Sequence, residues 1–346
     1  MRILVTGGAG YIGSATARLL TGAGHEVIVL DHLGNGHPEA VSGMRLVVGD
    51  CRDSDAVGAL LRDGRIEAVI HFAALKSVEE SVVDPGAYFD NNVGGTLAVL
   101  RAMAAASVHR FVFSSSCAVY GVPERLPVSE SAALRPMNPY GESKLLAERL
   151  LPWFDAAHGI RSAALRYFNA AGAALDGSAG EDWRDAANLI PIVLGVAAGR
   201  RPALTINGTD LPTPDGSAVR DYIHVDDLAA AHLRALETID RLDTSLTVNV
   251  GTGRGASVSD IVDAARRITG RPIPTIAGPA RPGDPPAVWA DTRRAESTLG
   301  WRAQATLDDI LASAWAWHQQ HPDGYGPVPI GAASGAPTKA ISTARS

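Results

Sequence analysis

The sequence of 346 residues contains little cysteine and no histidine pair suited to a metal ion. Its two cysteines, Cys51 and Cys117, give neither a disulfide framework nor a zinc-ligand spacing, and no two of its ten histidines stand four residues apart. We therefore expect no structural metal, and we expect the protein to work in the reduced cytoplasm.

Long apolar runs and clusters of basic residues are also absent. No apolar run approaches the roughly 18 residues of a transmembrane helix, and the opening MRILVTGG is too short in apolar residues for a signal peptide. A formal net charge of -6 argues against nucleic acid or an anionic membrane as partner. The 46% apolar content is instead enough for a large core and about two domains.

Short aliphatic runs alternate with helical stretches in the first half of the chain. The runs that predict buried strands are RILVT, EVIVL, RLVVG, EAVIHFA, RFVFSS and RSAALRYF. Residues 86–108 predict one crossover helix bent at two glycines. The pattern is typical of the α/β class, and it predicts a Rossmann-like, doubly wound parallel sheet over residues 1–168, to which some later segments return.

The composition changes after residue 168, where Pro- and Gly-rich connections interrupt shorter elements. We expect residues 169–325 to form a smaller C-terminal α/β region that binds substrate. Within it, SVSDIVDAARRITG (257–270) predicts a helix with a serine cap and a terminal glycine. Residues 326–346 are rich in Ala, Gly, Pro, Ser and Thr, which predicts a flexible tail.

A glycine-rich loop, GGAGYIGS, follows the first predicted strand. Gly7, Gly10 and Gly13 stand three residues apart, and Gly8, Gly10 and Gly13 fit G-x-G-x-x-G. Such a loop lets the backbone approach a pyrophosphate and directs a helix N-terminus at its charge. Since a strand precedes the loop and a helix follows it, we predict a dinucleotide site.

Acidic residues at the ends of the next two strands refine this prediction. Asp31 ends the second strand, where a carboxylate accepts the adenosine ribose hydroxyls and repels a 2′-phosphate. His32, rather than arginine, follows it, so NAD is predicted rather than NADP. Asp50 ends the third strand and either meets the adenine or is a simple loop acid.

The stretch NPYGESKLLAER (138–149) predicts a helix whose first turn carries Tyr140 and Lys144 on one face. An isolated Y-x-x-x-K pair is more often a solvated surface pair, so the rest of the chain must decide between that role and a catalytic one. The fifth strand brings Ser116 to the same sheet edge, where a strand-end cap is the alternative role. An alcohol that gives up a hydride must also lose its hydroxyl proton, and a nearby ammonium lowers the pKa of a phenol. We predict Tyr140 as base and acid, Lys144 as the tuning cation and Ser116 as the bridging hydroxyl.

Eight motifs together carry a resemblance to a known family: VTGGAGYIGS, VIHFAALKSV, YFDNNVGGT, FSSSCAVYG, NPYGESK, LRYFNAAG, VRDYIHVDDLA and RPGDPPAVWAD. From residue 1 to about 325 the chain resembles the extended short-chain dehydrogenases/reductases, and within them the sugar-nucleotide epimerases. The resemblance implies reversible inversion at C4 of a UDP-hexose. A hydride would pass from C4 to retained NAD, the 4-keto sugar would turn over, and the hydride would return to its other face.

The resemblance also implies the residues that bind each ligand. Those implied for NAD are Gly7, Gly10, Tyr11, Ile12, Gly13, Asp31, His32, Asn35, Asp50, Cys51, Phe72, Ala73, Ala74, Lys76, Asn91, Tyr140, Lys144 and Phe168. Those implied for the UDP-sugar are Lys76, Ser116, Tyr140, Asn169, Asn188, Leu189, Thr205, Asn207, Arg220, Arg281, Asp284 and Val288. Two arginines suit a diphosphate, although a salt bridge is the alternative for either. The resemblance further implies a homodimer with a helical interface.

Other functions on this scaffold are less favoured. Related dehydratases and decarboxylases carry an acid just after the active-site hydroxyl, where this chain has Cys117 and Ala118. A non-catalytic NAD-binding sensor would have lost the tyrosine, lysine or serine.

Val288 stands where members of the family carry a tyrosine, so we hypothesise room for an N-acetyl group and interconversion of UDP-GlcNAc and UDP-GalNAc. Core packing is the alternative role for Val288.

Overall fold

The computed structural model describes residues 1–184, 187–281 and 284–326. The tail predicted for residues 326–346 lies outside the described residues, except for Gly326. Among the described residues, no helix has both the length and the apolar character needed to cross a membrane.

Strands in the described part of the chain form one large sheet and three small ones. They are β1 (Arg2–Thr6), β2 (Glu26–Asp31), β3 (Arg45–Val48), β4 (Ala68–His71), β5 (Arg110–Ser116), β6 (Arg161–Tyr167), β7 (Asn169–Ala171), β8 (Leu204–Asn207), β9 (Val219–Arg220), β10 (Tyr222–His224), β11 (Leu246–Val250), β12 (Ala256–Ser257), β13 (Thr275–Gly278) and β14 (Ala287–Val288).

Helices cover both faces of the large sheet and surround the small ones. They are α1 (Tyr11–Gly22), α2 (Ser54–Asp63), α3 (Val78–Val83), α4 (Pro85–Tyr88), α5 (Gly95–Ala106), α6 (Pro139–His158), α7 (Leu189–Ala197), α8 (Val225–Thr238), α9 (Val258–Thr269), α10 (Arg293–Leu299) and α11 (Leu307–Gln320).

The large sheet has seven parallel strands in the order β11-β6-β5-β4-β1-β2-β3. This order confirms the predicted doubly wound sheet, and β11 is a later segment that returns to it. The chain reverses direction across the sheet between β1 and β4. In such sheets ligands bind beyond the carboxyl ends of the strands at this reversal.

Successive side chains of a strand point to opposite faces of the sheet, and here both faces are apolar and are covered by helices. Ile3 and Val5 belong to the core cluster that includes α1 and α8, whereas Leu4 belongs to the cluster that includes α2, α5 and α6. All three side chains are fully buried. Burial of such a side chain contributes about 1.5–3 kcal/mol, which is why both strand faces are apolar.

The predicted crossover helix is present as a continuous helical run with an irregular centre. The run passes from α4 through a π-helical segment, Phe89–Gly94, into α5. The two glycines, Gly94 and Gly95, stand at the junction of the π-helical segment with α5. A π-helical turn therefore accompanies the predicted glycine irregularity, and it contains Asn91 and Asn92, which the chain buries.

Small sheets carry most of the later strands. β10 pairs with β7, β13 pairs with β8, and β9 lies between β12 and β14. The helix predicted at 257–270 is α9, with Ser257 in a capping box and Gly270 at φ 63°. The division of the chain at residue 168 into two functional regions stays a prediction.

Candidate active site

Two glycines of the loop between β1 and α1 are packed too closely for any other residue. A Cβ atom at Gly13 would lie 2.2 Å from the Gly7 carbonyl oxygen. Gly7 has φ +67°, and a Cβ atom there would lie 2.5 Å from the Ala73 backbone nitrogen, just after β4. The loop therefore folds tightly against the carboxyl edge of the sheet.

The start of α1 fits an anionic ligand. Gly10 is the N-cap residue and has no side chain with which to cap the first-turn N–H groups. Asp31, at the end of β2, accepts hydrogen bonds from the N–H groups of Ala9 (3.0 Å) and Leu33 (2.8 Å). The carboxylate thus fastens the loop beside the end of β2, and these residues fit the phosphates and ribose of a dinucleotide.

The structure gives the partners or the burial of several other residues implied for NAD. Tyr11 donates its hydroxyl to the Gly172 carbonyl at 2.6 Å, and the Asn91 amide donates to Asn92 at 2.9 Å. The exposed Lys76 places its Nζ atom 4.0 Å from a Glu181 oxygen. The other members of this set that line the edge or lie behind it are the partly exposed Ile12, Phe72, Ala73 and Ala74, the exposed Asn35 and the buried Phe168.

Three residues implied for NAD have side chains with other partners. The Cys51 thiol lies in the hydrophobic core, and burial raises its pKa to about 12. Asp50 forms a 2.6 Å ion pair with Arg52, which lowers the pKa of the carboxyl. His32 accepts from the Gly34 N–H at 2.8 Å. The NAD contact of Cys51 and the adenine contact of Asp50 stay predictions.

The helix that begins NPYGESK is α6, and its start agrees with the prediction. Asn138 caps it by accepting from the Gly141 N–H at 2.9 Å, so Tyr140 lies in the first turn. Ser116, the last residue of β5, accepts from the Ala118 N–H at 3.2 Å and lies near enough to the Tyr140 phenol to lower its pKa. The structure therefore brings the serine to the tyrosine, while the serine also caps the turn after its strand.

Lys144 is buried, with 3% of its surface exposed. Its Nζ atom donates to the Ser114 carbonyl at 2.8 Å and lies 5.2 Å from the centre of the Phe113 ring. Burial lowers the pKa of Lys144 to about 8, and the charge of Glu148 opposes that change. The ammonium is thus held at the end of β5, one helical turn from Tyr140.

Burial raises the pKa of the Tyr140 phenol, and the nearby Ser116 hydroxyl opposes this effect. The surrounding phenols and thiol, from Tyr88, Tyr167 and Cys117, do not favour a phenolate. The chain's own groups therefore keep the phenol protonated at neutral pH. The lowering of this pKa by the Lys144 ammonium together with an oxidised nicotinamide stays a prediction.

The residues implied for the UDP-sugar lie on the later strands and on the start of α7. Asn169 is on β7, Asn188 and Leu189 are at the start of α7, and Thr205 and Asn207 are on β8. Arg220 on β9 is the register partner of Val288 on β14. Its guanidinium forms a 2.5 Å ion pair with Asp284, and the guanidinium of Arg281 lies 3.8 Å from a Glu79 carboxylate oxygen. Both arginines therefore have carboxylate partners that a diphosphate would have to replace or share.

Sequence reasoning missed two buried polar residues at this edge. Glu181 accepts from the Asn188 amide at 2.5 Å and raises no motif signal, since it is a single acid in a loop. Asn92 donates to the Leu75 carbonyl (3.0 Å) and to Ser143 (2.9 Å), and so ties the π-helical segment to α6. Its position beside Asn91 is the signal that could have indicated it.

The chain matches known proteins along most of its length. The sequence profile of the NAD dependent epimerase/dehydratase family matches residues 3–251. The UDP-glucose 4-epimerase of Lacticaseibacillus casei is 46% identical over 328 residues, which are 94% of this chain and 99% of that protein.

Solved structures give the same result. The UDP-glucose 4-epimerase from Brucella ovis in complex with NAD is 46% identical and superposes with a TM-score of 0.88, covering 91% of this chain and 97% of that one. The enzyme from Bifidobacterium longum in complex with NAD+ and UDP is 41% identical, with a TM-score of 0.88 over 94% and 100% of the chains. The chain therefore belongs to the NAD dependent epimerase/dehydratase family, which confirms the resemblance inferred from its motifs.

Replacement of Gly13 by alanine tests the glycine loop. The added Cβ atom would clash with the Gly7 carbonyl, so we expect NAD affinity to fall by about tenfold or more. The measurement is the amount of NAD released per chain from heat-denatured, purified protein. Gly22→Ala is the matched control, because a Cβ atom at the other end of α1 has nothing within 4 Å. Equal NAD content in the Gly13→Ala, Gly22→Ala and wild-type proteins would contradict this account.

Proposed function

We propose that the protein is an isomerase that reversibly inverts C4 of UDP-hexoses, interconverting UDP-glucose and UDP-galactose with retained NAD. The observation that carries this proposal is the grouping of the Ser116 hydroxyl at the end of β5 with the Tyr140 phenol and the Lys144 ammonium, which stand one helical turn apart on α6. The matches to UDP-glucose 4-epimerases over more than nine-tenths of the chain support it.

The proposed chemistry divides between the cofactor and the chain. Bound NAD accepts a hydride from sugar C4 and returns it to the opposite face of the 4-keto sugar. The glycine loop and Asp31 hold the dinucleotide, and Lys144 donates to the nicotinamide ribose. Because the hydride taken from C4 is returned to C4, the reaction leaves no net oxidation.

Tyr140 moves the proton of the sugar hydroxyl. It accepts the O4 proton as the hydride leaves and gives a proton back when the hydride returns. Ser116 bridges the sugar hydroxyl and the phenol. Lys144 stabilises the phenolate by its charge, so turnover requires its ammonium form.

The residues after Ser116 favour inversion over loss of water. Burial raises the pKa of the Cys117 thiol to about 12, so it retains its proton, and Ala118 carries no titratable group. A dehydratase needs an acid to protonate the departing hydroxyl. Neither position supplies one, which supports epimerisation rather than dehydration.

The later part of the chain, residues 169–325, is proposed to bind the UDP-sugar. Arg220 and Arg281 are suited to the diphosphate, because guanidinium groups pair with phosphate oxygens through two parallel hydrogen bonds. Asn169 begins the strand that comes after β6, and Asn188 and Leu189 stand at the start of α7. All three follow the proposed catalytic residues along the chain. The ion pair between Arg220 and Asp284 keeps one guanidinium ordered.

Val288 is proposed to set the size of the sugar site. Its side chain is 4% exposed and belongs to a cluster with Val119 and Phe168, and its strand pairs with that of Arg220. The position therefore lies between the proposed cofactor residue Phe168 and the proposed diphosphate residue Arg220. We propose that this small side chain leaves room for the N-acetyl groups of UDP-GlcNAc and UDP-GalNAc.

The protein is further proposed to be a cytoplasmic homodimer. Trp153 on α6 is 75% exposed, and Val82 and Val83 on the adjacent α3 are also exposed. Large apolar side chains grouped on two packed helices favour a helical subunit interface. The free cysteines Cys51 and Cys117 are compatible with a reduced cytoplasm.

Substitution of the proposed proton-transfer residues tests the function. Wild-type protein should convert UDP-galactose to UDP-glucose without added NAD, and Tyr140→Phe should lower kcat by about 10³-fold and Ser116→Ala by about 10²-fold. Retained NAD and UDP affinity should stay within about twofold, because neither hydroxyl carries the nucleotide. Tyr325→Phe, which removes a phenol bonded to the Gly180 carbonyl, is the control. Full turnover in both active-site variants would contradict the proposed proton path.

A larger side chain at Val288 tests the specificity proposal. Val288→Tyr should lower the kcat/KM for UDP-GalNAc by about 100-fold or more while UDP-galactose turnover is spared, because the phenol would fill the N-acetyl space. Thermal unfolding of the variant separates this effect from overpacking of the buried cluster. Equal loss with both substrates in a folded variant would refute the pocket argument.

Introduction of a charge on the exposed face of α6 tests the dimer. Light scattering should give wild-type protein a mass of twice the 36.0 kDa chain, and Trp153→Glu should give the mass of one chain. Trp153→Phe, which keeps an apolar ring, should stay dimeric. A monomeric wild type, or a dimeric glutamate variant, would contradict the proposed interface.

A further inference from the structure

A buried ion pair joins Glu148, one turn beyond Lys144 on α6, to Arg166 on β6. Glu148 and Arg166 are 8% and 4% exposed. Arg166 donates to both Glu148 oxygens, with Nε to Oε1 at 2.9 Å and a terminal nitrogen to Oε2 at 2.5 Å. The Ser115 hydroxyl donates to Oε1 at 2.5 Å. The carboxylate is thus fully engaged in a place that substrate does not need to reach.

This polar cluster ties α6 to three neighbouring strands. Arg166 on β6 is the register partner of Ser115 on β5 and of Asn249 on β11. Arg166 also donates to the Tyr120 hydroxyl at 3.0 Å, and that hydroxyl donates to Asn249 at 2.6 Å. Ser115, which takes part in these contacts, directly precedes Ser116 in the sequence. The contacts therefore fix α6, which carries Tyr140 and Lys144, relative to β5, which carries the proposed serine.

Stability alone gives a weak reason for this arrangement. Apolar residues of similar volume often replace a buried ion pair without loss of stability, because desolvation offsets the attraction. The position of the carboxylate offers a stronger reason. Glu148 follows Lys144 by four residues, which places both side chains on one face of α6.

The titratable groups that face Lys144 are few. On its own helix they are the neutral Tyr140 phenol and the Glu148 carboxylate. His71 on β4 also faces it, and burial lowers the pKa of that imidazole to about 3, so it is neutral. β5 contributes the Ser114 carbonyl and the Phe113 ring, which carry no net charge.

The remaining elements packed against α6 add no buried charge near the ammonium among the described residues. Arg166 on β6 faces Glu148, and Tyr167 on the same strand is neutral because burial raises its pKa to about 12. Burial likewise raises the pKa of the Tyr88 phenol on α4 and of the Cys117 thiol after β5. The charged residues of α3, of the π-helical segment and of α5 are exposed, and these are Glu79, Glu80, Asp90 and Arg101.

We propose that Glu148 is a positioning residue for the epimerisation proposed above: it anchors α6 through Arg166 and Ser115, and its charge keeps the Lys144 ammonium protonated beside Tyr140. The inference rests on that proposed function. Glu148 touches neither the sugar nor the reacting atoms, so it acts through Lys144.

Glu148→Gln removes the charge while keeping the size and the acceptor oxygen. Burial already lowers the pKa of Lys144 to about 8, and loss of the carboxylate lowers it further. Turnover needs the ammonium, so activity falls as pH rises through the pKa of Lys144. The alkaline limb of the kcat profile should therefore move down by about one pH unit, while kcat near pH 6 should fall by less than about threefold.

A second readout follows Tyr140 directly. Ultraviolet difference spectra of the holoenzyme, corrected with Tyr140→Phe, report the pH at which the phenolate forms. In Glu148→Gln that midpoint should rise, because Lys144 is neutral over more of the pH range. Arg166→Lys is the control, since it keeps both charges. It should lower the thermal midpoint without moving either the alkaline limb or the phenolate midpoint.

The outcomes separate the possibilities. A uniformly lower kcat with an unmoved alkaline limb and an unmoved phenolate midpoint in Glu148→Gln would overturn the proposal and leave a structural role. If Glu148→Gln does not fold, the double variant Glu148→Gln/Arg166→Met removes both charges, and the same displacement is expected of it. A wild type without epimerase activity, together with a displaced phenolate midpoint in the variant, would contradict the proposed function and support the role of Glu148.

Discussion

The buried ammonium of Lys144 is the interaction on which the proposed catalytic site depends. A lysine withdrawn from water keeps its charge only if nearby groups favour it, and the described partners are the Ser114 carbonyl and the charge of Glu148. Burial raises the pKa of the Tyr140 phenol, and in the proposed mechanism that cation and an oxidised nicotinamide offset this effect. The geometry of α6 against β5 would therefore control the proposed proton chemistry.

The parallel sheet explains how distant segments of the chain meet. β1, β2 and β5 all end at one edge, so the glycine loop, Asp31 and Ser116 meet there although nearly the whole first third of the chain separates them. α6 follows β5 and brings Tyr140 and Lys144 to the same edge. The later strands place Arg220 and Val288 side by side, which gives the proposed nucleotide region its link to the proposed sugar site.

Local patterns predicted much of this architecture. The six predicted aliphatic runs are strands of the large sheet, Asn138 caps the start of α6, and Ser257 and Gly270 stand at the two ends of α9. These predictions succeeded because each signal acts within a few residues. The sequence did not reveal the Glu148–Arg166 pair, the Glu181 contact or the inward-facing Cys51 thiol. These depend on the register between strands and on which helix face meets the sheet, and single-sequence patterns do not contain that information.

The most direct test of the account is the fate of the hydrogen at C4. UDP-galactose carrying deuterium at C4 would be incubated in ordinary water with purified protein and no added NAD, and the UDP-glucose formed would be analysed by mass spectrometry. The account predicts full retention of deuterium at C4, because the hydride leaves and returns within one site. Exchange of the label with solvent, or a strict requirement for added NAD, would contradict it.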